Sequence, residues 1–409
     1  MNRVAITGIG AITPLGNDKD TFWNALKNGE CGIGPITKFD PAESRCHVAA
    51  EVKNFDAKTM LDKSTAYRTD PFVQYAMCAS DEAMRDSGLA GNVDPDRFGV
   101  YMGSGVGGIQ TLCENDHALE TKGARFVNAL FVPKMIINIA AGQLAIRHGA
   151  HGNTLCLSTA CATGSTAIGE AYRAIKDGYL TAAIAGGSEA AINPLTTAGF
   201  INCTALTQEA DPNCACVPFD SRRAGFVLGE GAAVLILEEY EHAVSRGARI
   251  YAEIVGYGAT CDAYHVTSPS PDGVQIARAI RESLSGVEYS CEKMYVNAHG
   301  TGTQLNDLTE TAALKKTFGE DAKKLRISST KSMTGHMLGA AGAAEAIAAV
   351  MALKDGIIPP TVHLECPDPQ CDLDYTPNKA VKADPTVAIS TSLGFGGHNA
   401  CLAFKKVSE

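Results

Sequence analysis

The sequence predicts an α/β protein in which parallel-type sheets are covered by helices. Apolar runs of strand length alternate with segments of helical periodicity from residue 3 to residue 404, an order typical of such layered folds. The chain contains 41 glycines but only 6% aromatic residues, which suits many tight turns and close helix–sheet contacts. Its 409 residues are many for one domain and suggest two domains or one duplicated architecture.

The predicted elements follow one another in regular alternation. Strands are expected at residues 3–9, 99–102, 182–186, 232–238, 251–256, 294–297, 326–329, 387–391 and 400–404. Helices are expected at residues 69–87, 162–177, 273–284, 308–318 and 341–354. The short apolar run at residues 153–158 predicts one further strand, which is expected to be buried.

Composition argues against several classes of protein. The net charge of −10 disfavours nucleic-acid binding, which needs a basic face. No apolar run reaches the roughly 18 residues needed to span a bilayer, and the N-terminus enters a strand without the features of a signal peptide. The 14 cysteines have neither the spacing of a secreted disulfide scaffold nor that of a zinc site. The cysteines are therefore expected to be unpaired, and unpaired thiols predict a reducing compartment such as the cytoplasm.

The most informative segment is the sequence LSTACATGS at residues 157–165. An apolar strand precedes it, and apolar residues at helical spacing follow from Ile168 to Ile175. Cys161 is therefore expected at a helix N-terminus, where the helix dipole and free N–H groups favour a thiolate. A single free cysteine is usually a small core residue, so the interpretation of Cys161 as a nucleophile depends on its partners.

Two histidines provide such partners, each in a glycine-rich turn just after a short strand. His299 follows the strand at residues 293–296, and His336 follows the strand at residues 325–328. Because an open α/β sheet places its site beyond the strand ends, both histidines are expected to meet Cys161. A lone histidine is more often structural, but two in matching contexts beside a helix-capping cysteine favour catalysis.

Two other glycine-rich loops have different interpretations. The loop at residues 393–399 follows a strand, and its three glycines allow backbone N–H groups to approach a substrate, as an oxyanion hole requires. The sequence GSGVGG at residues 103–108 matches the dinucleotide fingerprint G-x-G-x-x-G. The acidic residue expected at the end of a second strand does not follow it, so we reject a dinucleotide cofactor.

Together these segments resemble the β-ketoacyl-acyl-carrier-protein synthases, and specifically the elongating type II enzymes with a Cys-His-His site. The sequences VAITGIG at residues 4–10 and PFDSRRAGFVLGEG at residues 218–231, with residues 331–342, extend the resemblance over nearly the whole chain. Leu393 and His398 depart from the residues common in the family. The resemblance implies the thiolase fold, a five-layer α-β-α-β-α sandwich of two related halves, which we divide into residues 1–249 and 250–409.

The resemblance implies a decarboxylative Claisen condensation that elongates fatty acids by two carbons. An acyl chain would be carried on Cys161, and malonyl-acyl-carrier-protein would supply the two carbons. His299 and His336 would donate hydrogen bonds from Nε2 to the malonyl thioester oxygen. The backbone N–H groups of Cys161 and Phe395 would form the oxyanion hole. No redox or catalytic metal cofactor is expected.

Supporting residues are implied by the same resemblance. Lys331 and Glu345 match a Lys–Glu pair that supports the histidines, Asp307 would support the His299 loop, and Phe395 would gate malonyl entry. A structural monovalent cation is implied near Asn297, Glu345 and Ser392. The residues expected to line the acyl pocket are Val106, Phe131, Phe200 and Leu338.

The expected partners are acyl carrier protein and a second copy of the chain in a homodimer. An acidic carrier needs a local basic patch on this acidic chain. The residues expected to form that patch are Lys63, Arg68, Lys122, Arg125 and Lys134. Each could otherwise be an ordinary solvated charge.

The residues leave one related activity as an alternative and disfavour three others. The ketosynthase subunit of a type II polyketide synthase would have much the same residues and is that alternative. A degradative thiolase would carry a second cysteine in the 393–399 loop, and an initiating synthase would carry Asn where His336 stands. A non-catalytic chain-length factor would lack Cys161.

Overall fold

The computed structural model describes residues 1–407. Their strands are β1 (Val4–Ile12), β2 (Gly34–Pro35), β3 (Val48–Ala49), β4 (Phe98–Gly103), β5 (Thr154–Leu157), β6 (Ala182–Glu189), β7 (Gly231–Glu239), β8 (Ala252–Cys261), β9 (Met294–Asn297), β10 (Arg326–Ser328), β11 (Ile357–Ile358), β12 (Val381–Lys382), β13 (Val387–Gly394) and β14 (His398–Lys405). Their α-helices are α1 (Lys19–Asn28), α2 (Ala57–Met60), α3 (Lys63–Arg68), α4 (Pro71–Ser87), α5 (Ile109–Lys122), α6 (Phe131–Met135), α7 (Ile139–His148), α8 (Thr163–Lys176), α9 (Pro194–Asn202), α10 (Pro212–Ala215), α11 (Tyr240–Ser245), α12 (Val274–Ser283), α13 (Gln304–Phe318), α14 (Lys331–Thr334) and α15 (Ala341–Asp355).

Ten strands form one hydrogen-bonded sheet that consists of two five-stranded halves with the same topology. The first half has the order β1-β7-β6-β4-β5, and the second has the order β8-β14-β13-β9-β10. Each strand of the first half thus has a counterpart in the second, in the same chain order. The halves join where residues 4–6 of β1 pair antiparallel with residues 252–254 of β8.

Helices cover both halves and also separate them. Helices α8 and α15 contact each other and strands of both halves, so they form a central layer. Helices α4 and α7 pack on the outer face of the first half, and α12 packs on the second half and on α13. The resulting order of layers is α-β-α-β-α, which confirms the expected five-layer architecture. The largest apolar core cluster includes most of α15, whose residues 341–353 are buried throughout.

Local sequence explains where the helices of the first half begin and end. The expected helix at 69–87 begins at Pro71, since the Asp70 side chain accepts a hydrogen bond from the Phe72 N–H and proline suits the first helical position. Gly88 ends it in the left-handed conformation at φ 59°. Helix α1, which the sequence analysis did not include, is capped in the same way by Asp18.

Two expectations about the strands are wrong. The sheets are mixed rather than parallel: β4 and β9 pair parallel with their neighbours, whereas β13 and β14 pair antiparallel. The three residues between β13 and β14 can join only antiparallel strands. The strand at residues 153–158 is not buried either, because β5 lies at the sheet edge and exposes Thr154 and Leu155.

Among residues 1–407, no helix is long and apolar enough to cross a membrane. All 14 cysteines lie in this range and are free thiols.

Candidate active site

One cavity of about 300 Å³ brings the predicted catalytic residues together. Its walls come from the loop after β9, the loop after β13 and the turn before α8. Its walls include Cys161, His299, His336 and Phe395. The lining also includes Thr301 and Thr303.

Cys161 lies in a tight turn between β5 and α8. Ala160 before it has a left-handed backbone conformation, φ 50°, which is unusual for a residue with a Cβ atom. Thr163 holds this turn, because its hydroxyl donates to the Ala160 carbonyl at 2.7 Å and accepts from the Thr159 N–H at 2.9 Å. Helix α8 then begins at Thr163, so Cys161 does lie at a helix N-terminus, and only 8% of it is exposed.

The ionisation of Cys161 differs from the expectation of a resting thiolate. Burial raises the pKa of the thiol to about 12, and the Lys331 ammonium and the Phe395 backbone N–H oppose this rise. The expectation considered the helix dipole and free N–H groups, whereas removal from water disfavours the charged thiolate. The raised pKa favours the thiol form, so Cys161 would have to lose its proton before or during any reaction as a nucleophile.

The loop after β13 closes tightly over the nucleophile turn. A Cβ atom on Gly394 would lie 2.5 Å from the Thr159 carbonyl oxygen and 3.3 Å from the Cys161 nitrogen. Only glycine allows this approach, which brings the Phe395 N–H to the Cys161 sulfur. The Phe395 N–H therefore lies beside the Cys161 side chain. The Phe395 ring lies near that of Phe200, with centroids 6.4 Å apart.

His299 is held by a buried lysine. The Lys331 Nζ lies 3.2 Å from His299 Nδ1 and also contacts the Glu345 carboxylate. Since an ammonium group only donates, Nδ1 of His299 must accept, and the ring proton is then on Nε2. Burial, the Lys331 charge and His336 lower the pKa of His299 well below its ordinary value, so the ring is neutral. The predicted Lys–Glu pair is thus in direct contact with the histidine site.

His336 also carries its ring proton on Nε2, but a backbone N–H rather than a lysine donates to its Nδ1. The Leu338 N–H donates to Nδ1 at 3.3 Å, which leaves the ring proton on Nε2. Among residues 1–407, Nε2 of His336 is buried without a hydrogen-bond partner. Burial and the Lys331 charge lower the pKa of His336 well below its ordinary value. The two imidazole rings are nearly perpendicular, with centroids 5.4 Å apart.

The sequence analysis missed Glu310, which holds the His299 turn more directly than Asp307 does. Glu310 accepts hydrogen bonds from the N–H groups of His299 and Gly300, each at 2.8 Å. Asp307 instead accepts from Phe219 at 2.9 Å and from Gly302 at 3.3 Å, so it supports the far side of the turn. The spacing could have indicated Glu310, since residues three apart on α13 share a face.

Some oxygen atoms near the expected cation site lack partners. Within residues 1–407, Asn297 Oδ1, Glu345 Oε2 and Ser390 Oγ are buried without a hydrogen bond. The Ser392 hydroxyl is already bonded to the Ser165 hydroxyl at 2.8 Å. Carbonyl, carboxylate and hydroxyl oxygens suit a hard cation, so Asn297 and Glu345 fit the expected ion, and Ser390 fits it better than Ser392.

The expected acyl-pocket residues divide into two pairs. Leu338 and Phe200 belong to the apolar cluster that contains Cys161. Val106 is 36% exposed in the single chain, and Phe131 is half-buried at the start of α6. The second pair therefore lies outside that cluster within one chain.

The expected docking residues are on one part of the surface. Lys63 and Arg68 begin and end α3, Lys122 ends α5, and Arg125 follows it; all four are exposed. Helix α3 lies beside α6, because the Lys134 ammonium donates to the Tyr67 carbonyl at 3.4 Å.

Comparisons with known proteins agree with this geometry. Residues 1–243 match the family model "Beta-ketoacyl synthase, N-terminal domain", and residues 251–365 match "Beta-ketoacyl synthase, C-terminal domain". A Synechocystis protein named 3-oxoacyl-[acyl-carrier-protein] synthase 2 is 50% identical over 407 residues, covering 99% of this chain and 98% of that protein. A Staphylococcus aureus protein of the same name is 50% identical over 408 residues, with the same coverage.

Solved structures are similar over the full length. A β-ketoacyl synthase from Burkholderia phymatum has a TM-score of 0.92 at 36% identity, and the ishigamide ketosynthase/chain length factor has a TM-score of 0.93 at 33% identity. A type II polyketide ketosynthase in complex with its acyl-carrier protein has a TM-score of 0.91 at 33% identity. Each match covers 100% of both chains. With a buried cysteine facing two neutral histidines in a thiolase fold, this chain belongs to the β-ketoacyl synthase family.

Proposed function

We propose that this protein is an elongating β-ketoacyl-acyl-carrier-protein synthase, an acyltransferase of fatty acid synthesis. One observation supports this most directly: His299 and His336 both accept a hydrogen bond at Nδ1, which leaves the ring proton on Nε2, and both line the cavity that contains Cys161. Two neutral donors suit an oxygen on which negative charge develops. The 50% identity to proteins named 3-oxoacyl-[acyl-carrier-protein] synthase 2 gives the substrate class.

The first half-reaction transfers an acyl group to Cys161. The sulfur attacks the thioester carbonyl of acyl-carrier, and the N–H groups of Cys161 and Phe395 receive the oxyanion. The carrier's thiolate leaves and takes up the proton that Cys161 loses. Acyl-enzyme and free carrier thiol are the products, so atoms and charge balance.

The second half-reaction forms the new carbon–carbon bond. Malonyl-carrier binds with its thioester oxygen between His299 and His336, and the bond to its carboxylate breaks to release CO₂. The electron pair becomes an enolate, which attacks the acyl carbonyl on Cys161. The Cys161 thiolate leaves and takes a proton from water, giving a β-ketoacyl-carrier two carbons longer. The release of CO₂ drives the step, and no oxidant or reductant is consumed.

The surrounding residues keep the two histidines neutral and oriented. The Lys331 ammonium lowers the pKa of both rings and sets the Nε2–H form of His299. Glu345 neutralises Lys331 in a site that excludes water. Asn297 and Glu345 would hold a structural monovalent cation, which would balance the second Glu345 oxygen without entering the reaction.

Three further assignments belong to this proposal. The carrier docks at the exposed residues of α3 and α5, through its phosphopantetheine arm and acidic surface. A second copy of the chain covers the Val106 and Phe131 side and completes the acyl pocket. The free cysteines suit a cytoplasmic location.

A ketosynthase subunit of a type II polyketide synthase is the second candidate. It is favoured by the TM-score of 0.91 to a type II polyketide ketosynthase. The identity is lower there, 33% against 50% for the synthase 2 proteins, so fatty acid elongation is the better-supported function.

The decisive experiment uses the purified protein alone. With butyryl-carrier and malonyl-carrier, we expect one round of condensation to β-ketohexanoyl-carrier, detected by intact mass. Absence of product, or products with several successive keto groups, would contradict the proposal.

A further inference from the structure

Glu189 is a fully buried carboxylate at the end of β6, and the proposed chemistry does not use it. Its Oε1 accepts from the Ser104 hydroxyl at 2.7 Å and from the Val106 N–H at 3.1 Å. Its Oε2 accepts from the Gly105 N–H at 2.7 Å and from the Gly339 N–H at 3.0 Å. Burial raises the pKa of this carboxyl, and these four hydrogen bonds oppose the rise. A buried carboxylate held by neutral donors constrains the segments that supply them.

One of those segments leads directly to His336. Gly339 follows Leu338, whose own N–H donates to Nδ1 of His336 at 3.3 Å. Leu338 has φ 46°, in the left-handed region that residues with a Cβ atom avoid. Such a conformation persists only where neighbouring contacts hold it. The residue directly after Leu338 is held in this way, since the Gly339 N–H donates to Glu189.

We propose that Glu189 is a positioning residue for His336: by holding Gly339, it keeps the Leu338 N–H on Nδ1 and thereby keeps the ring proton on Nε2. This inference rests on the proposed function, because it assigns Glu189 to malonyl decarboxylation. The same carboxylate holds Gly105 and Val106, so it also ties the His336 turn to the loop expected at the acyl pocket.

Glutamine cannot replace Glu189 in this arrangement. Each carboxylate oxygen receives two donors, so both positions must be acceptors. An amide offers one acceptor oxygen and one donor NH₂ group. If the NH₂ group faced Gly105 and Gly339, both backbone N–H groups would lose their acceptor. If it faced Ser104 and Val106, the Ser104 hydroxyl could turn to accept from it, but the Val106 N–H would lose its acceptor.

The test compares two activities of Glu189→Gln with those of a matched control. Glu82→Gln also alters a carboxylate that accepts two backbone N–H groups, from Ala11 and Lys19, but it lies on α4 in an outer layer. We expect the kcat of malonyl-carrier decarboxylation to fall about tenfold or more in Glu189→Gln, with KM little changed. Glu82→Gln should retain wild-type decarboxylation.

The second activity is the reaction of Cys161 with iodoacetamide, whose rate is measured by the mass of the alkylated peptide. Since the negative charge of Glu189 raises the pKa of Cys161, the variant should be alkylated as fast as wild type or faster. A purely structural role would lower both activities together. Parallel losses, or decarboxylation within about threefold of wild type, would overturn the proposal. A wild-type protein without decarboxylation would instead overturn the proposed function.

A change at Leu338 tests the turn itself. Glycine adopts φ 46° without strain, so in a Leu338→Gly background the loss caused by Glu189→Gln should shrink to about threefold or less. An undiminished loss would contradict the role of the turn. If Glu189→Gln does not yield folded protein, Glu189→Asp is used in the same assays, because its shorter side chain withdraws from Gly339.

Discussion

The two halves of the molecule contain the same turn, and only one of them carries a nucleophile. In the first half, a 3₁₀ turn at residues 160–162 leads into α8; in the second, a 3₁₀ turn at residues 338–340 leads into α15. Ala160 and Leu338 open the two turns with φ 50° and φ 46°. The residue that follows is Cys161 in one turn and Gly339 in the other.

The two turns differ in the hydrogen-bond acceptor of their second residue, which is Cys161 in the first turn and Gly339 in the second. The Gly339 N–H is bound by the Glu189 carboxylate, whereas the Cys161 N–H is proposed to bind the oxyanion of the substrate. The second turn thus shows, with a carboxylate of the protein itself, that this backbone geometry binds an anionic oxygen. The fold supplies this turn twice, and under the proposed function the side chain of Cys161 makes the first copy the catalytic one.

The largest effect is expected when the nucleophile is removed from the first turn. Cys161→Ala should abolish condensation while malonyl-carrier decarboxylation persists, because His299 and His336 remain in place. Both activities are measured on protein whose folding is verified by circular dichroism. Loss of decarboxylation in the folded variant would contradict the assigned division of roles.

A large effect is also expected at the glycine that closes over the first turn. In Gly394→Ala, the new Cβ atom would meet the Thr159 carbonyl at 2.5 Å, so the loop must move away from Cys161. We expect acyl loading of Cys161 to fall about 100-fold, the scale of a lost oxyanion donor. Gly34→Ala is the control, since its Cβ atom meets nothing within 4 Å, and it should load normally. Normal loading of Gly394→Ala would show that the loop need not approach the nucleophile.

An effect that depends on acyl-chain length is expected at the loop of residues 103–108. Glu189 binds N–H groups of this loop and of the second turn. Val106→Phe adds a ring at the expected acyl pocket, and packed sites absorb such volume poorly. Dodecanoyl-carrier should lose kcat/KM by about tenfold, whereas hexanoyl-carrier should react nearly normally. Equal losses with both substrates would show that Val106 is outside the pocket.

The smallest effect concerns the pH dependence of stability. Burial lowers the pKa of both His299 and His336, whereas histidines in the unfolded chain titrate near 6.5. Below about pH 6.5, the unfolded state therefore binds more protons, and the free energy of unfolding falls as pH falls, by at most about 1.4 kcal/mol per pH unit for each histidine.

Urea denaturation at about pH 7.5 and about pH 5.5 measures this contribution. The double variant His299→Asn/His336→Asn lacks both titrating rings, so it should lose less stability than wild type between the two pH values. Equal losses would show that the two histidines are not held neutral by the fold.

The sequence indicated much of the site because strand ends and glycine-rich turns are local patterns. Cys161, His299 and His336 each follow a short apolar run, and the structure places all three in one cavity. Glu310 was missed although its spacing from Asp307 could have indicated it, and Glu189 was missed because its partners Ser104 and Gly339 are distant in sequence. The strand at residues 153–158 was wrongly expected to be buried, because an apolar run does not reveal a sheet edge.

By itself, therefore, the sequence determined the α/β class, the turns and the residue types that react, all of which depend on neighbours along the chain. The tertiary structure decided the ionisation of Cys161, the proton positions on the two histidines and the role of each carboxylate. These properties depend on burial and on charges and donors that are distant in sequence, such as the Lys331 charge near Cys161 and the Gly339 N–H that binds Glu189. Desolvation and hydrogen bonding act through space, so only the folded chain specifies them.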